Sequence, residues 1–224
     1  MPEKLINGIP VEEILNPIIN NLELVERISH RKKAQELTIV DPDPQWPEYF
    51  KTFKDRILKA FDPQGDEQGG NDGMRVEILS INHVGSTSVP NLPAKATIDI
   101  DLVLSSTTLS SEPFYVPLLE SGGFQYVLRE PSWYEHRFFV AYEPMPCNLH
   151  VWGPKCAEVE RHLIFRDRLR ENDGDRELYG RTKREAMRVV REGGEGMVEY
   201  TKRKDEIIGG ILGRAFQRLG YLID

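Results

Sequence analysis

The sequence predicts an α/β fold of the α+β kind, a central sheet with helices before and after it. Three observations carry this. Apolar runs of strand length cluster between residues 76 and 152. Helical apolar spacing governs much of the chain before residue 62 and dominates after residue 155. A run of turn formers with no apolar residue, 62–73, separates the first helical stretch from the strands. A chain of 224 residues fits one large domain with a helical annex.

Residues 1–36 read as an N-terminal helical arm that could pack on the domain or on a partner. Val11, Ile14, Leu15, Ile18 and Ile19 recur at helical spacing, and Pro17 kinks or ends that helix. Leu22, Leu24 and Val25 start a second apolar stripe. Residues 37–153 form the sheet domain. Glu36 to Val40 is a short strand candidate, stopped by Asp41-Pro42-Asp43-Pro44. Trp46, Tyr49, Phe50, Phe53, Ile57, Leu58 and Phe61 mark one face of an amphipathic helix. The acidic run 62–73 cannot pack a core and is expected as a flexible loop. From Arg75 to Asn82, Val76, Ile78 and Ser80 alternate with Glu77, Leu79 and Ile81, as on a strand. A helix from Phe114 is ended by Gly122-Gly123, and strands are expected at 124–128, 137–142 and 147–152. Residues 154–224 are helical, with Ile207, Ile208, Ile211, Leu212, Ala215, Phe216 and Leu219 tracing a stripe.

Composition excludes several classes. The net charge of -7 argues against DNA or other generic nucleic-acid binding. The segment 155–204 nonetheless carries more Lys and Arg than Asp and Glu. The two cysteines, Cys147 and Cys156, lack the spacing of a structural zinc site and suit a reducing compartment. No apolar run is long enough to span a membrane, and no secretory signal is seen at the start. A soluble cytoplasmic protein is expected.

Chemistry concentrates in two neighbouring segments. His83-Val84-Gly85-Ser86-Thr87-Ser88-Val89-Pro90 reads as a strand breaking into a Gly-Ser turn. Ile98-Asp99-Ile100-Asp101-Leu102 reads as a strand carrying two carboxylates on one face, with its apolar residues on the other. Two such carboxylates repel unless a proton or cation neutralises them. Mg²⁺ or Mn²⁺ takes oxygen ligands of this kind, usually with substrate phosphates. Gly85, Ser86, Thr87 and Ser88 would offer donors to a phosphate.

Val84-Gly85-Ser86, a gap of twelve residues, and Asp99-Ile100-Asp101-Leu102 together resemble the pattern of the nucleotidyltransferase superfamily. More specifically, residues 83–90, Leu92, Ala94-Lys95 and Ile98 to Asp101 resemble the signature of the GrpB family, as do Ile39 to Trp46, Asn148 to Val151 and Phe165 to Arg170. The resemblance covers about residues 37–190. Asn91 departs from it, standing where most members would have Gly. The resemblance implies a nucleotidyltransferase-like mixed sheet flanked by helices. It also implies metal-assisted transfer of a nucleotidyl group from a nucleoside triphosphate to a small molecule. Asp99 and Asp101 would hold the ion. Superfamily enzymes normally add a third acid on a neighbouring strand, and the residue placed for that here is His150, with Glu135 a fallback. No Gly-x-x-x-x-Gly-Lys-Ser/Thr loop is present, which rules out a P-loop kinase.

Other residues have two readings each. His83 touches a phosphate or braces the turn. Lys95 neutralises phosphate or is solvated. Arg137 reaches substrate or forms an ion pair with Asp99 or Asp101. Arg166 and Arg170, four apart on a helix, form an anion-binding wall with Lys183, or a solvated face. Trp133, Tyr134 and Trp152 stack on a base or pack in a core. Ser86 or Ser88 as a nucleophile lacks the Gly-x-Ser-x-Gly turn. Two rival functions share the scaffold. One is an aminoacyl-tRNA-dependent transferase, as some fungal proteins resembling the family are thought to be in making arginine-containing cyclic dipeptides. There the Asp pair would bind a guanidinium or ammonium group. The other is a non-catalytic binding module.

Overall fold

The structure, a computed structural model, describes residues 4–34, 36, 38–62 and 75–222, apart from the side chain of Met197. In chain order, strands β1 (Leu5–Ile6) and β2 (Ile9–Pro10) form a small hairpin, followed by helix α1 (Val11–Leu15) and strand β3 (Glu26–Arg27). Then come α2 (Trp46–Ala60), β4 (Ile78–Val84), β5 (Ile98–Leu104), α3 (Glu112–Ser121), β6 (Gln125–Glu130), β7 (His136–Ala141) and β8 (Cys147–Trp152). Three helices close the chain: α4 (Ala157–Glu171), α5 (Asp173–Glu192) and α6 (Met197–Arg218). The main sheet has six strands in the order β3-β6-β7-β8-β5-β4. Among the described residues only β5 and β8 run parallel, so the sheet is mixed.

The sheet has two different faces. On one, Ile100, Leu102, Phe139, Leu149 and Val151 are buried in a single core with Phe53 and Ile57 of α2 and Tyr115 and Leu119 of α3. Residues one position away point to the other face, beneath the C-terminal helices. That second face holds Asp99, Asp101, His136, Asn148, His150 and Trp152, an unusually polar set for a sheet interior. α4 packs against α1, α5, α6 and β4, and so is surrounded on most sides. This explains why its sequence shows no clean apolar stripe.

Several elements depart from expectation. The arm's helix stops at Leu15, and Ile18 and Ile19 are exposed. Pro17 disfavours the helical conformation of the residue before it, and Asn16 is accordingly non-helical at φ -120° and ψ 76°. The second apolar stripe of the arm is no helix of length: Leu22–Leu24 is a single 3₁₀ turn, and the chain then adds the edge strand β3 to β6. In place of a strand at 36–40, Val40 makes one isolated bridge to Ala94, while Leu37 lies outside the described residues. The expected loop 62–73 also lies outside them from residue 63 onward. In β4 a register shift between Ile78 and Ser80 breaks the alternation. Ile78 and Ile81 therefore both reach the core, while Ser80, Asn82 and Val84 share the face of Asp101 and Asp99.

The expected helices at 46–61 and 114–122 and the strands at 124–128, 137–142 and 147–152 are present, with ends shifted by a few residues. Asn91 adopts φ 61°, a conformation Gly takes freely and Asn tolerates better than most other residues. That conformation agrees with the Gly expected at this position from the resemblance. Among the described residues no helix is long and apolar enough to cross a membrane.

Candidate functional site

β5 is the centre of the site because it lies between β4 and the parallel strand β8. The register sets Asp99 beside Asn148 and Asp101 beside His150 on β8. Asp99 Oδ1 accepts from Asn148 Nδ2 at 2.7 Å, and Asn148 Oδ1 accepts from Arg31 Nη2 at 3.0 Å. Burial raises the pKa of Asp99, opposed by the Asn148 hydrogen bond and by Lys95. Gly85 leads into the turn at φ 66°, and a Cβ there would lie 2.9 Å from Asp99 Cβ. Only a glycine lets the turn lie this close to the carboxylate.

Asp101 is fully buried. Its Oδ1 accepts the Trp152 Nε1–H at 2.9 Å, and its Oδ2 accepts from His162 Nδ1 of α4 at 2.8 Å. Burial alone would raise its pKa, but the His162 charge and the hydrogen bonds from His162 and Trp152 bring it below the usual value. Burial likewise works to lower the pKa of His162, but Asp101, with Glu158 behind it, lifts it to about 9. His162 is therefore an imidazolium at neutral pH. His150 has the opposite fate. Burial, with the neighbouring His136, pushes its pKa down to about 3, so it is neutral. Its Nδ1 lies 3.0 Å from His136 Nε2, and His136 Nδ1 lies 2.6 Å from Glu130 Oε2.

His150, His162, Asp99, Glu158, Arg161 and Tyr179 line one cavity of about 310 Å³, with Trp133 and Phe165 among its apolar walls. α4 supplies four of these residues, and α5 and α6 close the remaining side. The rings of His150 and His162 are 6.3 Å apart. A neutral and a protonated imidazole thus face the same space.

The residues do not fit the expected Mg²⁺ or Mn²⁺. Both oxygens of Asp101 already accept hydrogen bonds, one of them from a cation. Among the described residues no group of three His, Cys, Asp or Glu side chains is arranged to hold an ion. Glu135 does not supply a third acid here, since its Oε2 pairs with Arg137 at 3.0 Å.

Arg137 itself is a correction. It is fully buried on the opposite face of the sheet, where its Nε donates to Glu112 of α3 at 2.6 Å. One residue of register separates it from the site, and in a strand that reverses direction. His83 is engaged within the protein. It stacks on Phe50 of α2 with ring centroids 4.7 Å apart, and its Nε2 lies 3.1 Å from Thr87 Oγ1, so it braces the turn. Thr87 donates to Thr97 O at 3.1 Å and Ser88 to Gly85 O at 2.6 Å, which spends both hydroxyls inside the loop. Ser86 shares a hydrogen bond with Tyr179.

The expected anion wall is a backbone clamp. Arg170 donates from Nε and Nη2 to Ser88 O at 3.0 and 2.7 Å, and Arg166 Nη1 to His83 O at 3.1 Å. Lys183 is buried with its Nζ donating to Pro93 O, and burial drives its pKa well down. Lys95 lines a second cavity of about 320 Å³ with Arg31, beyond Asn148.

His162, His136, Glu130, Glu158 and Asn148 escaped the sequence reasoning. One signal was available: three of the chain's five histidines, His136, His150 and His162, meet here.

A model of the GrpB protein family matches residues 36–214. The match runs well into α6, further than the motifs that stop near residue 190. A UPF0157 protein of Halalkalibacterium halodurans is 38% identical over 179 residues, 80% of this chain and 82% of that protein. A UPF0157 protein of Streptomyces coelicolor is 32% identical over 183 residues, 82% of this chain and 86% of that protein. The crystal structure of a conserved GrpB protein from Enterococcus faecalis has a TM-score of 0.62 at 23% identity. It covers 82% of this chain and 99% of that one, a likeness of fold.

Proposed function

We propose that this chain, which belongs to the GrpB family, is a group transferase that moves protons through two histidines rather than placing a divalent ion on Asp99 and Asp101. The observation that carries this is one cavity lined by a neutral imidazole and a protonated one. Titratable pairs whose surroundings drive their pKa values apart mark the acid and the base of a site. His150, neutral at rest, takes the proton of an attacking amine or hydroxyl as its bond to the transferred group forms, and the Asp101 carboxylate nearby offsets the charge it gains. His162 gives its proton to the leaving group as the old bond breaks. The transferase assignment itself rests on the resemblance to the superfamily, since fold does not fix chemistry.

Asp99 and Glu158 favour an acceptor carrying an ammonium or guanidinium group, and the aromatic walls suit its apolar part. On the same wall Arg161 and His162 only balance Asp99 and Glu158, which leaves no net positive charge to hold a triphosphate that brings no neutralising ion. The donor that suits the site is therefore an activated acyl group, of which charged tRNA is one carrier. Purified protein is incubated with arginine and other amines, with either charged tRNA or nucleoside triphosphates, with and without EDTA, and products are read by mass spectrometry. Acyl transfer that persists in EDTA and falls at least about 100-fold in His150→Ala is expected. Turnover that needs a nucleoside triphosphate and Mg²⁺, and stops in EDTA, overturns the proposal.

A further inference from the structure

A histidine has two nitrogens, and only an unprotonated one can take a proton. His150 has its Nδ1 engaged by His136, so its remaining nitrogen, Nε2, is the one with chemistry left to do in the cavity. Which nitrogen carries the proton is fixed by the far end of the chain of contacts. The Glu130 carboxylate accepts hydrogen bonds and cannot donate them. His136 must therefore hold a proton on Nδ1, which lies 2.6 Å from Glu130 Oε2. His136 is also almost fully buried and, with burial lowering its pKa, neutral. Its Nε2 is then an acceptor. His150 must donate to it from Nδ1 across 3.0 Å, and that leaves a lone pair on His150 Nε2.

We infer that Glu130 and His136 are positioning residues that hold His150 in the tautomer whose Nε2 is unprotonated. The inference rests on the role proposed for His150. The geometry around the pair supports it. His136 is stacked between neighbours, 4.1 Å from Trp152 and 5.1 Å from His150, with Trp133 against its edge at 5.1 Å. A ring packed in this way cannot easily flip to exchange its nitrogens. Glu130 is held in turn from outside the sheet: Asn20 of the N-terminal arm donates to its Oε1, and Ser132 donates to Asn20 Oδ1 at 3.2 Å. Second-layer hydrogen bonds of this type fix the tautomer and orientation of a working histidine. The arm thus contributes to the site without lining the cavity. Glu130 sits at the end of β6, His136 at the start of β7 and His150 near the end of β8, so three neighbouring strands line up the relay.

The test reads the tautomer directly and needs no substrate, so it stands apart from the search for activity. ¹⁵N shifts of the histidine rings are recorded on the labelled full chain at neutral pH. In the wild type, His150 is expected to show a protonated Nδ1 and an unprotonated Nε2. In Glu130→Gln, whose amide can donate to His136 Nδ1, His136 is released to either tautomer and His150 is expected to become a mixture. A wild-type His150 protonated on Nε2 overturns the inference without any variant. A His150 tautomer that is unchanged in a folded Glu130→Gln also overturns it, because another group then sets it. Should Glu130→Gln not fold, Glu130→Asp, whose shorter side chain falls short of His136 Nδ1, carries the same comparison.

Discussion

Single residues decide whether this cavity can work, and Gly85 is the clearest case. Its φ of 66° strains any residue with a side chain, and an added Cβ would press on Asp99. Gly85→Ala is therefore expected to cost about 1 kcal/mol for the backbone alone and more for the displaced carboxylate. Urea denaturation measures the loss, and an unchanged midpoint would show that the turn does not need glycine. The same scale explains the two imidazoles. His150 lies beside His136 and is pushed to about 3, whereas His162 lies on Asp101 and is held at about 9. Their difference comes from a few ångströms of placement around identical side chains.

Between elements, ion pairs and hydrogen bonds to backbone lock the C-terminal helices over the site. Asp175 at the start of α5 accepts from Arg168 of α4 at 2.6 Å and from Arg214 of α6 at 3.0 Å. Asn172 caps the same helix by accepting from the Asp175 N–H at 2.8 Å. One buried carboxylate therefore ties three helices together. Asp175→Ala is expected to cost about 2 kcal/mol, less than for a fully buried pair because Arg214 is half-exposed. A thermal melt of the variant checks this, and an unchanged melting temperature would mean that apolar packing alone holds the helices. Arg166 and Arg170 act on the same scale. They fasten α4 to the end of β4, through His83 O, and to the Gly-Ser turn, through Ser88 O, so the turn and His162 keep a fixed spacing.

For the whole molecule, these placements set a pH profile of stability. His83 and His150 have folded pKa values of about 3, below the unfolded 6.5. Between those limits the unfolded chain binds more protons, so stability is lost as pH falls from about 6.5 towards 3. His162 has a folded value of about 9, above the unfolded 6.5. Its contribution is full below 6.5 and declines as pH rises through 9. Lys204, lowered by burial to about 8, acts in the opposite sense above that pH. The melting temperature is therefore expected to peak near pH 6.5 and to decline on the way to pH 8, and His162→Asn should flatten that decline. A wild-type melting temperature that rises from pH 6.5 to 8 would refute the assignment of His162 as the proton carrier.

Local physics is legible in the sequence by itself. The period of two in Ile98 to Leu102 put Asp99 and Asp101 on one face, and helical spacing located α2 and α6, because these patterns depend only on near neighbours. The Gly-Ser turn and the helix stop at Gly122-Gly123 were equally readable. The stop of the arm helix before Pro17 was readable too, but where a bulge slipped the alternation in β4 the pattern misled even locally. Only the tertiary structure decided what the two carboxylates face. His162 reaches Asp101 across 61 positions of chain, and His136 reaches His150 across 14 and one strand pairing. Strand order and helix docking create such contacts, and no periodicity encodes which helix lands on which strand. That is why a sequence that reads as a metal-binding pair folds into a pair of carboxylates bound by an asparagine, a tryptophan and a charged histidine.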